Sequence, residues 1–401
     1  MHLSRKVVHS PRYAFDILYS TAERARAKGI DVINLGAGMP DLPPPGHVTR
    51  ALVDAIDEPS SSQYPPSAGE GHFLEAVATY YRDRFGVELS PEEEIVALHG
   101  SKVGMSRLPL AILDPGQVAL VPDPAYPVYS SAVHFASGMA RLMPLVAANG
   151  YLPDIGRVEA AQRDTPARLM FLNYPNVPTG VVAQRSQLAS LIKLGLREDI
   201  AICNDAAYCD IYYTKEPPPS LLEVDGAMEV GVEFGTLSNT YQVPGWRIGY
   251  AVGSRRIIKA LKDLEAHLDS GLFRPLQRAG SSALTGSQEC VARYRSTYRR
   301  RRDLVVLGLT RLGYDVLTPE AACYVWARVP LGAGSSEVFC ANLLEQCGVL
   351  VLAGTALGHH GEGFFRVSLT AEDEVLEEAL RRLEVGTAAG ARHRSGGIGP
   401  R

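Results

Sequence analysis

Short apolar runs that stop at turn or polar residues recur through the middle of the chain. Each run holds three to five mostly apolar residues that do not alternate with polar ones, which is typical of strands buried on both faces of a sheet. The runs are Ile95–Leu98, Val118–Val121, Leu169–Leu172, Ala201–Cys203, Phe234–Leu237 and Ile248–Val252.

Helical patterns lie between these runs, at Val103–Leu113, Gln187–Leu196 and Ile257–Leu264. Strands that alternate with helices predict an α/β fold, in which a mostly parallel sheet is sandwiched between helices. In such sheets the ligand lies beyond the carboxyl ends of the strands. We therefore expect functional residues among the polar residues that follow each apolar run.

The last third of the chain has a different pattern. A long arginine-rich helical stretch, Glu289–Leu312, precedes two strand-like runs that flank a helix. This order predicts a separate α+β domain. We predict an N-terminal arm over residues 1–45 that packs on this small domain, a large domain over 46–285, the small domain over 286–385, and a disordered, glycine-rich tail over 386–401.

Length and composition narrow the class of protein. A chain of 401 residues exceeds the size at which one hydrophobic core stops growing, so two domains are expected. The net charge of −4 gives no electrostatic reason to expect nucleic acid or a membrane surface as partner. No apolar run is long enough to span a bilayer and no signal peptide is recognisable, while the six cysteines lack a Cys-x-x-Cys pair. Reduced thiols and a cytoplasmic location are expected, with no metal site.

Several polar residues follow the predicted strands at positions suited to binding an anion or a ring. Gly100-Ser101-Lys102 opens a helix directly after a strand, and helix N-termini bind phosphate. Tyr126 and Asp205 each follow another strand, and Arg366 lies within the last strand-like run. Each also has a purely structural interpretation: a strand-to-helix turn, a packed tyrosine, a helix cap and a strand-end arginine.

Residues 236–250, Thr-Leu-Ser-Asn-Thr-Tyr-Gln-Val-Pro-Gly-Trp-Arg-Ile-Gly-Tyr, resemble the lysine segment of pyridoxal-phosphate (PLP) aminotransferases. Asn173-Tyr-Pro-Asn-Val-Pro-Thr-Gly180 resembles a second motif of that family. The resemblance extends from about Tyr13 to about Leu383, and within the class I/II aminotransferases of fold type I it is strongest to the LL-diaminopimelate aminotransferase group. It implies a large domain with a mostly parallel seven-stranded sheet and a smaller α+β domain.

The resemblance also implies roles for individual residues. Asp205 faces the ring nitrogen, Tyr208 bonds the ring 3-oxygen, and Tyr126 stacks on the ring. Other residues implied to bind the cofactor are Ser101, Lys102, Thr236, Ser238, Arg247 and, from the partner subunit of a homodimer, Tyr64. Residues implied to bind the substrate are Arg366, Asn176, Tyr13 and Gly38.

The sequence departs from the family pattern at the reacting end. Asn239 stands where the family has the lysine that bonds the cofactor, and an amide nitrogen cannot form a Schiff base. Val177 stands where the family has an asparagine. Val103 stands in place of a glutamate of the nearest relatives, and Glu265 and His267 in place of their Lys-x-Asn segment. The catalytic positions are therefore Asn239, Tyr208 and Asp205, with the lysine absent.

Three interpretations remain open at this stage. In the first interpretation the chain is an enzyme that binds pyridoxamine phosphate (PMP), or PLP already condensed with an amine, without a covalent link. Such an enzyme acts on an amino acid or keto acid with altered chemistry, and the candidate bases are His99, His134 and His267. Alternatively it is an inactive protein that binds the cofactor adduct, or Asn239 is a substitution made to trap an aminotransferase.

Overall fold

The computed structural model describes residues 1–8 and 10–395. Within these residues the helices are α1 (Arg5–Val8), α2 (Ala14–Ala27), α3 (Gly46–Ile56), α4 (Gly71–Phe85), α5 (Ser101–Ile112), α6 (Val128–Phe135), α7 (Ile155–Asp164), α8 (Arg185–Glu198), α9 (Ala227–Val230), α10 (Leu237–Thr240), α11 (Arg255–Leu268), α12 (Arg274–Thr285), α13 (Glu289–Arg311), α14 (Ser336–Cys347) and α15 (Asp373–Ser395). None of these helices combines the length and the apolar composition needed to cross a lipid bilayer.

The strands of the described residues are β1 (Ile33–Asn34), β2 (Ile95–Leu98), β3 (Val118–Asp123), β4 (Met139–Pro144), β5 (Ala167–Leu172), β6 (Ala201–Asp205), β7 (Gly231–Thr236), β8 (Gly249–Gly253), β9 (Val316–Leu317), β10 (Tyr324–Arg328), β11 (Val349–Leu350), β12 (Leu352–Ala353) and β13 (Phe364–Ser368). The predicted apolar runs all contribute to strands, and β4 is a strand that no apolar run indicated.

The large sheet has seven strands in the order β2-β8-β7-β6-β5-β3-β4. Strand β8 runs antiparallel to β2 and β7, and the other neighbours are parallel. The predicted α/β class, with a mostly parallel sheet, is therefore confirmed. The carboxyl ends of β2, β5, β6 and β7 lie at one edge of this sheet, where the polar residues after each strand meet.

The alternation of side chains along the strands divides the interior into two layers. On β5, Leu169 and Phe171 belong to one buried cluster, and Met170 and Leu172 belong to the other. Helices cover both faces, so apolar residues are needed at every position of these strands. This is why the strands read as unbroken apolar runs in the sequence.

The C-terminal part forms a second, antiparallel sheet in the order β12-β13-β10-β9, flanked by α13, α14 and α15. The N-terminal segment pairs with the C-terminal part in a separate two-stranded sheet, in which Ile33–Asn34 runs parallel to Val349–Leu350. The boundaries between arm, large domain and small domain stay a prediction.

Helix α15 extends into the predicted tail, and the disorder of that tail stays a prediction. Helix α15 continues to Ser395, so the backbone of residues 386–395 is helical, while residues 396–401 lie outside the described part. The composition suggested disorder because of its glycines. Three alanines, at 388, 389 and 391, offset this because alanine has the highest helix propensity.

Candidate active site

A cluster of donors surrounds the N-terminus of α5. Gly100 precedes the helix with a φ of 80°, a left-handed conformation that glycine adopts without strain. A Cβ at Gly100 would collide with the guanidinium of Arg247, so the absence of a side chain lets Arg247 approach the helix end. The combination of free helix N–H groups and a guanidinium suits a phosphate dianion.

Two hydroxyl groups lie on the other side of this cluster. The Thr236 hydroxyl donates to the Ser238 hydroxyl over 3.0 Å and accepts from the Ser238 main-chain N–H over 3.2 Å. Residue Gly249 brings β8 so close to Ser101 that a Cβ there would lie 2.6 Å from the Ser101 nitrogen. Ser101, Thr236, Ser238 and Arg247, which the sequence predicts to act together, are thus gathered around one helix end.

Asp205 ends β6 and is buried, with 4% of its surface exposed. Its Oδ2 accepts a hydrogen bond from the Tyr129 hydroxyl over 2.7 Å. Its Oδ1 is also buried but has no partner among the described residues. Burial raises the pKa of this carboxyl to about 6, against the opposing effect of the Tyr129 hydroxyl and the Ala207 N–H. An unpaired buried carboxylate oxygen is costly unless a cationic or donor group reaches it.

Aromatic side chains and one cation line the space near Asp205. Tyr13, from the N-terminal arm, donates to the Tyr126 hydroxyl over 3.1 Å. The Lys102 ammonium donates to the Tyr13 hydroxyl over 3.3 Å and lies 4.4 Å from the centre of its ring. The sequence predicts that Lys102 holds phosphate, but its side chain is engaged with Tyr13. Its main-chain N–H lies in the first turn of α5, where helix N–H groups are free to bind a phosphate.

Tyr324 is part of the site, and sequence reasoning missed it. Its hydroxyl lies 3.0 Å from that of Tyr208 and donates to the Gly38 carbonyl over 3.3 Å. Gly38 has a φ of 97°, and a Cβ there would collide with the Tyr324 ring. Tyr324 thus connects Tyr208 and Gly38, two residues that the sequence predicts to bind cofactor and substrate. The sequence offered one signal for Tyr324: it lies in a strand-like run that precedes the run of Arg366. If these two strands pair, as β10 and β13 do, residues from both come close together.

Arg366 is a buried cation whose charge no carboxylate neutralises within the described residues. It is 1% exposed, and burial lowers its pKa. Its Nη2 donates to the carbonyl oxygens of Gly36 (2.8 Å) and Ala37 (3.2 Å), and its Nε has no partner. The guanidinium carbon lies 4.0 Å from the centre of the Tyr324 ring. A buried guanidinium with an unpartnered donor and no neutralising carboxylate among the described residues is suited to bind a carboxylate ligand.

Comparison with known proteins agrees with this geometry. The family model for aminotransferase class I and II matches residues 30–383. The chain belongs to this family. It is 43% identical over 385 residues to an LL-diaminopimelate aminotransferase of Moorella thermoacetica, covering 96% of this chain and 98% of that protein. A second LL-diaminopimelate aminotransferase, of Desulforudis audaxviator, is 44% identical over 382 residues, covering 95% of this chain and 96% of that protein.

Solved structures agree. An aspartate aminotransferase of Thermus thermophilus superposes with a TM-score of 0.90 at 31% identity, covering 96% of this chain and all of that chain. The fold is that of a fold type I PLP transferase, and the family implies a PLP or PMP cofactor. These residues fit the cofactor. The unpartnered Asp205 Oδ1 would face its ring nitrogen, and the donors around the N-terminus of α5 would face its phosphate.

Asn239, predicted to occupy the lysine position of this aminotransferase family, lies in the short helix α10 after β7. Its side-chain Nδ2 donates to the Ala207 carbonyl over 3.0 Å. The main-chain carbonyl of Asn239 accepts from Gln242 Nε2 over 2.8 Å. The amide therefore ties α10 to the segment that connects Asp205 with Tyr208. It holds the loop and has no proton-accepting nitrogen to offer.

The predicted role of Asn176 in substrate binding stays a prediction, and the hydrogen bonds of its side chain are local. Its Oδ1 accepts from the Thr179 hydroxyl over 2.6 Å and from the Thr179 N–H over 3.3 Å, and its Nδ2 donates to the Asn173 carbonyl over 3.2 Å. The side chain is 1% exposed and bonded within its own loop. Asn176 therefore stabilises the turn, and Val177 beside it packs against the hydrophobic core.

Tyr64 lies away from the site of its own chain. It is 84% exposed, and among the described residues its main-chain carbonyl accepts a hydrogen bond from Arg274 over 3.0 Å.

Two of the three candidate bases, His99 and His134, contact other groups. His99 Nδ1 lies 3.2 Å from Asp269, and His134 Nε2 lies 2.8 Å from the Lys6 carbonyl near the surface. His267 is exposed.

Proposed function

We propose that this aminotransferase-family protein binds PLP or PMP without a covalent link and acts on an amino acid or keto acid. The observation that carries the proposal is the buried Asp205 carboxylate, whose Oδ1 has no partner among the described residues. A protonated pyridine nitrogen is the partner that would satisfy it. Such a group would also bring its phosphate toward Ser101, Thr236, Ser238 and Arg247.

Each side chain then has a distinct task. When bound, the cofactor supplies an electron sink for bonds at the substrate α-carbon. Asp205 holds the proton on the ring nitrogen, because an ionised carboxylate favours a cation beside it. Tyr208 offers its hydroxyl to the ring 3-oxygen, and Tyr126 packs against the ring face. Arg366 orients the substrate by pairing its two free donor positions with the α-carboxylate.

We infer that Asn239 makes ordinary transamination slow. The lysine of the family both bonds the cofactor and moves a proton, and an amide can do neither. Loss of a general base typically costs ~10²–10⁴ in rate. The pairing of the Asn239 amide with the Ala207 carbonyl supports a role in holding the loop. Chemistry that needs no protein amine is the more suitable activity for this site.

The names of the relatives suggest which substrate to examine first. Both curated relatives are LL-diaminopimelate aminotransferases, so diaminopimelate is the first amino acid to test. The general class, an α-amino or α-keto acid, follows from the uncompensated charge of Arg366. The exposed Tyr64 supports a homodimer in which this tyrosine reaches the phosphate of the partner subunit.

Titration calorimetry and the visible spectrum test the proposal together. We expect PMP to bind the purified protein, and PLP to give a band only when an amine such as diaminopimelate is added. Borohydride treatment of protein incubated with PLP alone should leave no pyridoxyl group on the polypeptide. The variant Asn239→Lys should acquire that group, whereas the control Asn239→Gln should not.

The outcomes separate the three interpretations. Conversion of substrate together with a band supports an enzyme of altered chemistry. A band without conversion supports a protein that binds the adduct. Rapid transamination gained in Asn239→Lys supports a trapped aminotransferase. Failure of PMP, PLP and the PLP–amine adduct to bind would contradict the proposal in all its forms.

A further inference from the structure

A cavity of about 310 Å³ lies between the large sheet domain and the C-terminal sheet. Its walls come from the segment after β4 (Ala147, Gly150, Tyr151), from Val181, and from β9, β10 and β13. Its volume falls at the lower end of the range of small-molecule sites. It is distinct from the active site in its lining, which includes none of the residues assigned above to cofactor or substrate.

The interior of the cavity is aromatic. Trp326 and Phe364 stack with ring centres 5.2 Å apart and planes 9° from parallel. Tyr151 forms another part of this wall. Burial raises the pKa of its hydroxyl, and the Arg328 charge and the Trp326 indole N–H oppose that rise.

Tyr151 is held in an unusual conformation beside this cavity. Its φ is 58°, a left-handed value that is uncommon for a bulky residue. The Tyr174 hydroxyl donates to the Tyr151 carbonyl over 2.7 Å and fixes this geometry. The fold therefore maintains a strained backbone that keeps an aromatic ring in the cavity wall.

The rim of the cavity carries one charge of each sign. Arg328 and Asp315 lie 3.2 Å apart, with 49% and 77% of their side-chain surface exposed. An exposed pair of this kind contributes little stability, so its groups are available to a ligand. The Arg328 guanidinium also lies 4.7 Å from the centre of the Phe364 ring, at the boundary between the charged rim and the aromatic interior.

We propose that this cavity binds a small aromatic amino acid in its zwitterionic form. The aromatic ring would lie among Tyr151, Trp326 and Phe364, where ring contacts are favourable. The carboxylate would pair with Arg328 and the ammonium with Asp315. The Cα of Trp326 pairs with that of Arg366 across the strands, and paired residues face the same side of a sheet, so the cavity adjoins the strand that carries Arg366.

The two tryptophans of the sequence make this inference testable by fluorescence. In a Trp246→Phe protein, Trp326 is the only tryptophan, and its emission should change saturably when L-phenylalanine is added. We expect Arg328→Gln to weaken binding about tenfold, through loss of a charge-assisted hydrogen bond. Val181→Phe should abolish binding because it fills the cavity. The surface variant Lys259→Gln should leave binding unchanged.

Related probes test the chemistry of the ligand. We expect 3-phenylpropionate, which lacks the ammonium, and cyclohexylalanine, which lacks the aromatic ring, to bind more weakly than L-phenylalanine. The absence of a saturable change would overturn the proposal. So would a response that survives both Arg328→Gln and Val181→Phe, or one that is lost in Arg366→Gln while both cavity variants retain it. The last result would place the probe in the substrate site.

The measurement is independent of the proposed function. Calorimetry with PMP on the same Trp246→Phe protein reports the cofactor site separately. Binding of L-phenylalanine without binding of PMP would contradict the proposed function and leave this inference standing. Binding of PMP without any response of Trp326 to L-phenylalanine would contradict this inference and leave the proposed function standing.

Discussion

The substitution Asp205→Asn tests the role of the buried carboxylate most directly. It keeps the shape of the side chain and removes the charge that a protonated ring nitrogen requires. The Tyr129 hydroxyl, which donates to Oδ2 over 2.7 Å, can donate equally well to an amide oxygen. The variant therefore separates the charge of Asp205 from its packing, with opposite consequences for the empty protein and for cofactor binding.

The first consequence concerns the free energy of unfolding without cofactor. The pKa of Asp205 is raised from 3.8 to about 6 by burial. At 1.36 kcal/mol per unit this corresponds to roughly 3 kcal/mol. Between these two pH values the folded state binds more protons than the unfolded state, so stability falls as pH rises. The penalty is absent below about pH 4, builds up to about pH 6 and persists above it. Asp205→Asn should not show that fall.

The second consequence concerns the affinity for PMP. Removing one partner of a buried, hydrogen-bonded charge pair typically costs 2–5 kcal/mol. Taking 2–4 kcal/mol, the dissociation constant of PMP should rise roughly 30- to 700-fold in Asp205→Asn. The same residue change should thus stabilise the empty protein at neutral pH and weaken the complex.

Chemical denaturation from pH 4 to 8 and titration calorimetry with PMP measure the two effects. Asp199→Asn is the matched control, because the Asp199 carboxylate is 84% exposed and precedes β6, at the end of that strand opposite to Asp205. The control should change neither the shape of the stability–pH curve nor the affinity. An Asp205→Asn protein that keeps wild-type affinity for PMP would refute the assignment of Asp205 to the ring nitrogen.

Three further predictions concern other parts of the site. Arg366→Gln should weaken the binding of pyruvate to PMP-loaded protein about 10- to 100-fold in calorimetry, because it removes a bidentate charge-assisted pair; equal affinity would contradict its role. Gly38→Ala should lower the free energy of unfolding by about 1–3 kcal/mol in urea, because the added Cβ collides with Tyr324. Gly29→Ala, with a similar φ of 82° and open space, controls for backbone strain alone. Tyr64→Phe should leave a dimer in sedimentation but weaken PMP binding by roughly threefold to tenfold, and unchanged affinity would argue against a shared phosphate site.

Much of the fold could be predicted from the sequence because its strands are buried on both faces. Such strands need apolar residues at every position, and the turn residues after them mark their ends. Strand β4 was not predicted, because it lies at the sheet edge and does not form an unbroken apolar run. Its residues Met139, Arg141 and Leu142 are partly or fully exposed.

The site was only partly predictable, because spacing along the chain does not fix the direction of a side chain. The position of Asp205 after a strand indicated its place at the sheet edge. Its bond to Tyr129 and the contact between Tyr208 and Tyr324 join residues 76 and 116 positions apart, and only tertiary packing brings them together. The Asn176 amide bonds within its own loop, a contact that the spacing of its motif does not indicate.

The contacts of Asn239 distinguish a site that has lost function from one that has been adapted. If the residue merely filled the space of a lost lysine, its amide would need no specific acceptor. Instead it donates to Ala207, in the segment that carries Asp205 and Tyr208. Such a bond contributes about 1 kcal/mol and helps to fix the position of two residues that are proposed to contact the ring. Asn239→Ala should therefore weaken PMP binding although Asn239 is proposed to make no covalent bond, whereas a bystander at this position would leave the affinity as it is.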